Sequence, residues 1–166
     1  MTPLYWILAV VAAQRLAEVT YAERNTRLLR ARGAIEFGAV QYPFFVALHL
    51  AWLLSMLLFV PAAVSPNWYL IGVFGLLQLA RLWVLATLGR RWTTRIIVLP
   101  GASLVRRGPY RFLRHPNYAI VALEIALLPL ALHAYWIAAL FTVLNAIVLA
   151  WRIRVEEAAL AAPRPL

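Results

Sequence analysis

Two short stretches hold the residue types able to do chemistry. One is Gly108-Pro109-Tyr110-Arg111-Phe112-Leu113-Arg114-His115-Pro116-Asn117-Tyr118; the other is Arg152-Ile153-Arg154-Val155-Glu156-Glu157. They offer guanidinium, imidazole, phenol and carboxylate groups. Between them lies an apolar segment long enough for two short spans of a bilayer. A helical hairpin there returns the second stretch to the first at one membrane surface. Charged groups are costly beside hydrocarbon and tend to be kept there for function. Asn117 is a good helix N-cap, and a helix N-terminus favours an anionic ligand, with Arg111 and Arg114 adding charge. Arg152 and Glu156 are four apart and share a helical face; Arg154 and Glu157 are three apart. A ligand held between the two ends meets both signs of charge. A surface Arg–Glu pair and a helix cap are the plainer account of the same residues.

The elements that must position these groups belong in a membrane. Of 166 residues 64% are hydrophobic and 13% charged, with a mean hydropathy of +0.79. Soluble domains are nearer half apolar and a quarter charged. The reading is one all-α domain, residues 1–166, of about five transmembrane helices at 4–21, 43–60, 68–88, 118–132 and 135–151. The last two form a tight hairpin through Leu132-His133-Ala134, and Pro129 is expected to kink its first arm. The first apolar run lacks the basic n-region of a cleavable signal. There is no cysteine, which excludes disulfides and thiolate chemistry. His49, His115 and His133 lack ligand spacing, so no metal is expected.

The net charge of +10 could point to nucleic acid, but its distribution points to a membrane instead. All sixteen basic residues are Arg and all six acids are Glu. Arg24, Arg27, Arg30 and Arg32 follow the first span. Seven more lie between Arg90 and Arg114, and Arg152, Arg154 and Arg164 follow the fifth. The linkers 61–67 and 132–134 carry no Lys or Arg. Five spans put every Arg-rich segment on one side, which gives an N-out, C-in topology with the site on the cytoplasmic face. Topology and lipid head-group contacts account for most of these Arg. Expected partners are membrane lipids and a lipophilic small molecule, with no nucleic acid and no obligate protein partner.

The spans are not uniform. Gln14, Arg15 and Glu18 share one face of the first, either as a pair that softens the cost of burial or as part of a pocket. Gln78 and Arg81 interrupt the third. Trp52, Trp68, Tyr69, Trp92, Tyr135, Trp136 and Trp151 fall near expected span ends, as in interfacial belts. The 90–114 segment is the one long loop, and its Arg and aliphatic content suits a segment lying on the bilayer surface.

The two stretches resemble the isoprenylcysteine carboxyl methyltransferase family of membrane methyltransferases, which pairs Gly-x-Tyr…Arg-His-Pro-x-Tyr with a later Arg-x-x-x-Glu-Glu. The motifs, at 106–118 and 152–157, cover the last third of the chain. The resemblance implies that Tyr110, Arg114, His115, Pro116, Tyr118, Arg152, Glu156 and Glu157 hold S-adenosylmethionine and its product S-adenosylhomocysteine. That cofactor needs both signs of charge: it has a carboxylate, an ammonium, a ribose diol and a sulfonium. Nine residues follow Glu157, fewer than in many relatives, which implies a reduced lid. Sterol-type membrane reductases share a similar hairpin and use NADPH, but typically follow the motif Tyr with Gly-Glu or Gly-Asp; here Ala119-Ile120-Val121 follow. A non-catalytic scaffold is a further alternative, though it needs no such constellation.

The acceptor rests on two residues. Glu124 lies six residues into the fourth span, about 9 Å below Tyr118. A carboxylate there needs a partner such as Arg81, Gln78, Arg15 or a ligand hydroxyl: either it is a general base for an acidic hydroxyl, or it makes an interhelical hydrogen bond or ion pair with Arg81. His49, about two turns into the second span, is either a polar substrate contact or a buried structural residue. The segment Arg32-Gly33-Ala34-Ile35-Glu36-Phe37-Gly38 resembles a bacterial branch that O-methylates alkylpyrones and alkylresorcinols. A carboxylate base suits a phenol or enol. An isoprenylcysteine acceptor, the alternative, is already a carboxylate. The expected activity is O-methylation of a phenolic or pyrone lipid at the cytoplasmic membrane.

Overall fold

A computed structural model describes residues 2–161, and the short tail expected over the site, with Arg164, lies largely outside them. Five helices carry the chain: α1 (Pro3–Arg30), α2 (Tyr42–Phe59), α3 (Trp68–Leu88), α4 (Pro116–Ala131) and α5 (Tyr135–Ala161). Among the described residues, three stretches are long and apolar enough to cross a membrane: 39–59, 68–91 and 135–161. α4 is apolar but has only 16 residues, about 24 Å of helix against a hydrocarbon core of about 30 Å. A helix lies at each of the five expected positions, with shifted ends, and α1 and α4 are not among the three stretches long and apolar enough to cross. α1 runs nine residues past Tyr21, so Arg24, Arg27 and Arg30 lie on helix rather than loop. α5 continues through the second motif.

One element departs from a purely helical reading. Ile35–Phe37 and Ile96–Val98 form a two-stranded antiparallel ribbon, β1 and β2, with Glu36 opposite Ile97. Ile96–Val98 is therefore paired backbone rather than a free surface segment. The ribbon packs on α5. At Gly38, where φ is +60°, a Cβ would come within 2.9 Å of Val155 Cγ1, so this turn needs glycine to bring the ribbon onto the helix.

α4 lies between α3 and α5. Asn67 caps α3 by accepting from the Tyr69 and Leu70 amides at 3.1 and 3.2 Å. Its own amide donates to Ala131 O at 2.8 Å, tying the start of α3 to the end of α4. Past Ala131, His133 adopts a left-handed φ of 57° and the hairpin turns. Pro129 has no amide proton and so leaves the carbonyl of Ile125, four residues back, without its helical donor. The Trp52 indole supplies one, Nε1 donating to Ile125 O at 3.1 Å. Trp52 is 1% exposed and belongs to the core with Leu4, Met56, Leu128 and Ile137, not to an interfacial belt. Trp92 is likewise buried, stacked 6.1 Å from Tyr21. Trp68, Tyr69, Tyr135 and Trp136 are exposed at helix starts, as expected, whereas Trp151 is exposed within α5, which runs ten residues past it.

Candidate active site

The hairpin brings the two motifs together. Tyr118, in the first turn of α4, is bracketed by two groups from α5. Arg152 Nε donates to its hydroxyl at 2.8 Å, and the hydroxyl donates to Glu156 Oε2 in a short hydrogen bond. Arg152 and Glu156 share a helical face as expected, but the link between them runs through this phenol. Arg152 is buried. It is held from behind by Thr94 O at 2.7 Å, and its guanidinium stacks 4.7 Å from the Phe45 ring of α2. Three elements thus fix one cation before any ligand arrives.

The remaining motif residues surround that core. The His115 ring stacks on Tyr118 with centroids 5.4 Å apart. Its Nδ1 is 3.8 Å from Glu156 Oε2 and its Nε2 3.4 Å from Glu157 Oε1. Arg114 reaches Glu157 at 3.3 Å across solvent, its side chain 82% exposed. Glu157 pairs with these two residues rather than with Arg154. Pro116 is buried at the first position of α4. The residue capping that helix is His115, not Asn117, and no side chain caps the first turn. Asn117 falls inside the helix, and its buried Oδ1 has no hydrogen-bond partner among the described residues. Tyr110 packs beside Trp92, Val84 and Ile120. Burial, reinforced by the nearby Glu156 charge, pushes its phenol up to about 12, so it stays a neutral donor at ordinary pH.

Behind the site the ribbon is pinned by charge. Glu36 pairs with Arg30 and, at 3.0 Å, with Arg95. Burial pushes its carboxyl up, but the hydrogen bonds and charges of Arg95 and Arg30 outweigh this and hold it below the usual range. The ribbon thereby sets the segment whose Thr94 carbonyl anchors Arg152.

A second polar cluster lies deeper. Glu124, 2% exposed, accepts from Arg81 through both Nη2 and Nε, the latter at 3.0 Å. It also accepts from Arg15 at 2.9 Å and from Gln78 at 2.8 Å. Glu18 pairs with Arg15 at 2.8 Å and with Arg81 at 3.2 Å. Gln14 closes the ring, donating to Glu18 at 3.0 Å and to Gln78 at 2.7 Å. Two Glu, two Arg and two Gln from α1, α3 and α4 thus compensate one another. The ion pair between Glu124 and Arg81 is formed, and the Glu124 carboxylate has four donors on it. His49 Nδ1 lies 2.9 Å from Phe45 O, the carbonyl one turn back. The Gln14–Gln78 bond, the Thr94 anchor and the Phe45 stack escape a sequence reading. Thr94 acts through its backbone, and the others join residues from distant helices with no spacing rule to link them.

The structure so far defines a class: an integral membrane helical protein with a preorganised, two-signed polar site at the mouth of its last helical hairpin. The chain belongs to the isoprenylcysteine carboxyl methyltransferase family, whose model matches residues 70–162, and is therefore a membrane methyltransferase of a family that generally uses S-adenosylmethionine. The chain is 40% identical to the uncharacterized protein YpbQ of Bacillus subtilis over 95% of this chain and 96% of that one. It is 26% identical to an uncharacterized protein of Haemophilus influenzae, over 92% and 91%. No solved structure matches it.

Proposed function

We propose that the protein transfers a methyl group from S-adenosylmethionine to the hydroxyl of a membrane-embedded phenolic or pyrone lipid, on the cytoplasmic side of an N-out, C-in bundle. The observation that carries this reading is the Tyr118 hydroxyl fixed between Arg152 and Glu156 at the hairpin mouth. The residues present fit the cofactor's chemistry. Glu156 and Glu157 remain partly exposed, with side chains 28% and 41% accessible. They suit an ammonium or ribose hydroxyls. Arg114 and the uncapped start of α4 suit a carboxylate. The buried, unpartnered Asn117 Oδ1 beside Pro116 awaits a donor. When bound, the cofactor supplies a methyl group on a positively charged sulfur, ready for in-line displacement. The chain's own part is alignment: Arg152, Tyr118 and Thr94 hold the mouth rigid, so little ordering remains at the moment of reaction.

Glu124 enters differently. Its oxygens already accept four hydrogen bonds from two cations and an amide, so it can take a proton only by breaking that ring. This favours the ion-pair role. The acidity of a phenol or hydroxypyrone then has to suffice for its own ionisation. The Nδ1 contact of His49 with its own helix likewise favours a structural role. The same filled carboxylate supports a second reading, carboxyl methylation of an isoprenylcysteine-type acceptor, which needs no base at all. The 32–38 segment carries the resemblance that keeps the hydroxyl acceptor first.

The test is to incubate purified protein and native membrane lipids with methyl-labelled S-adenosylmethionine. Labelled lipid is expected, and its resistance to mild alkali marks an aryl or enol ether, whereas release of methanol marks an ester and selects the second reading. Thermal stabilisation in detergent by S-adenosylhomocysteine, reduced by about tenfold or more in apparent affinity in Glu156→Gln, is the companion result. Stabilisation by NADPH alone overturns both readings.

A further inference from the structure

The C-terminal end of α3 and the loop that follows it enclose a cleft of about 330 Å³. Thr87, Arg91, Ser103, Leu104, Arg106 and Arg107 line it. Arg91 donates to the neutral Ser103 carbonyl at 2.9 Å. Arg106 and Arg107 are exposed, and none of the three Arg forms an ion pair among the described residues.

Among the described residues, every Glu side chain is engaged elsewhere. Glu18 and Glu124 are in the buried ring. Glu23 and Glu36 face Arg95. Glu156 and Glu157 are at the hairpin mouth. The negative end of the α3 dipole, roughly half a charge, offsets only a small part of three positive charges. The cleft is nonetheless built rather than accidental. Gly108 has a left-handed φ of 58°, and a Cβ there would sit 2.5 Å from Thr87 Oγ1, so the loop seats against α3 only with glycine at this position.

The surroundings select the anion. Leu104 in the cleft wall is 52% exposed, and Phe112 and Leu113 further along are 73% and 53% exposed. Exposed apolar side chains alternating with Arg fit a segment seated at the boundary between head groups and acyl chains. We propose that this cleft binds the phosphate head group of an anionic glycerophospholipid, with an acyl chain beside Leu104. The proposal does not rest on the methyl-transfer reading, although Arg106, Arg107 and Gly108 open the first motif.

Native mass spectrometry of the full chain tests it, with phosphatidylglycerol or phosphatidylcholine supplied in the detergent. The parent retains one phosphatidylglycerol, preferred by about tenfold or more over phosphatidylcholine. The double variant Arg106→Gln, Arg107→Gln loses that preference, and Arg106→Lys, Arg107→Lys keeps most of it. Arg24→Gln, Arg27→Gln, which removes as much charge from the exposed face of α1, behaves as the parent. An equal loss in both Gln pairs, or no loss in either, overturns a specific site. Displacement of the lipid by millimolar inorganic phosphate assigns the cleft to free anions and overturns the lipid. An unchanged melting temperature of the Arg106, Arg107 variant shows that it is folded.

Discussion

At the scale of single residues, Trp52 and Pro129 illustrate how a membrane helix tolerates an imide. Proline removes one donor from α4, and a carbonyl left bare in an apolar interior costs free energy that water cannot relieve. The Trp52 indole, reaching across from α2, relieves it. Replacing Trp52 by Phe keeps an aromatic ring and deletes that donor. The expected loss is about 1–3 kcal/mol of unfolding free energy, measured by denaturation in mixed micelles. Pro129→Ala in the same background should recover part of it, because residue 129 then has an amide proton of its own and donates to Ile125 O. An unchanged stability in Trp52→Phe would mean that the carbonyl finds another partner. The sequence shows Pro129 and Trp52 separately, and position alone casts Trp52 as an interfacial residue. Only packing turns it inward. The motif residues were more legible, because Tyr118, Arg152 and Glu156 sit at opposite ends of one short hairpin, and local geometry suffices to bring them together.

At the scale of elements, the buried ring explains why α1 belongs to the site-bearing bundle although it lies outside the residues 70–162 that match the family. Besides bonding one another, Gln14, Arg15 and Glu18 reach partners on α3 and α4. Removing one member of a buried ion pair strands the other, typically at about 3–5 kcal/mol. Glu124→Arg and Arg81→Glu are each expected to lose folded protein, and the double swap to recover a large part of it, read as monodisperse yield and melting temperature. A Glu124→Gln variant that folds normally yet loses most turnover would instead return that residue to the role of base. The helices themselves were readable from apolar runs. The ribbon was not: each strand is three residues long, the two are about sixty residues apart in sequence, and neither carries a period of two long enough to notice. The ring was half readable. Arg15 with Glu18, and Glu124 with Arg81, Gln78 or Arg15, follow from the need of a buried carboxylate for donors, whereas the bond from Gln14 to Gln78 joins two neutral groups with no charge to point the way.

At the scale of the whole molecule, the positive charge is unevenly placed. The Arg-rich segments gather at the end where the ribbon, the hairpin mouth and the cleft beside Arg91, Arg106 and Arg107 lie, and many apolar side chains are exposed along the helices. The buried ring also has a consequence for the order in which the protein is made. α1 leaves the ribosome with an Arg and a Glu in its middle, each opposing insertion, the Arg alone by about 2.5–3.5 kcal/mol. Their partners on α3 and α4 are synthesised roughly sixty to a hundred residues later. α1 is therefore expected to wait at the bilayer surface and to take its final place only when α3 and α4 arrive to receive it. Stalled chains report this directly. With an acceptor tag at the amino end, chains ending after α2 should leave the tag untranslocated, and chains ending after α4 should carry it across. Translocation in the shorter chain would show that Arg15 and Glu18 compensate each other well enough to enter alone.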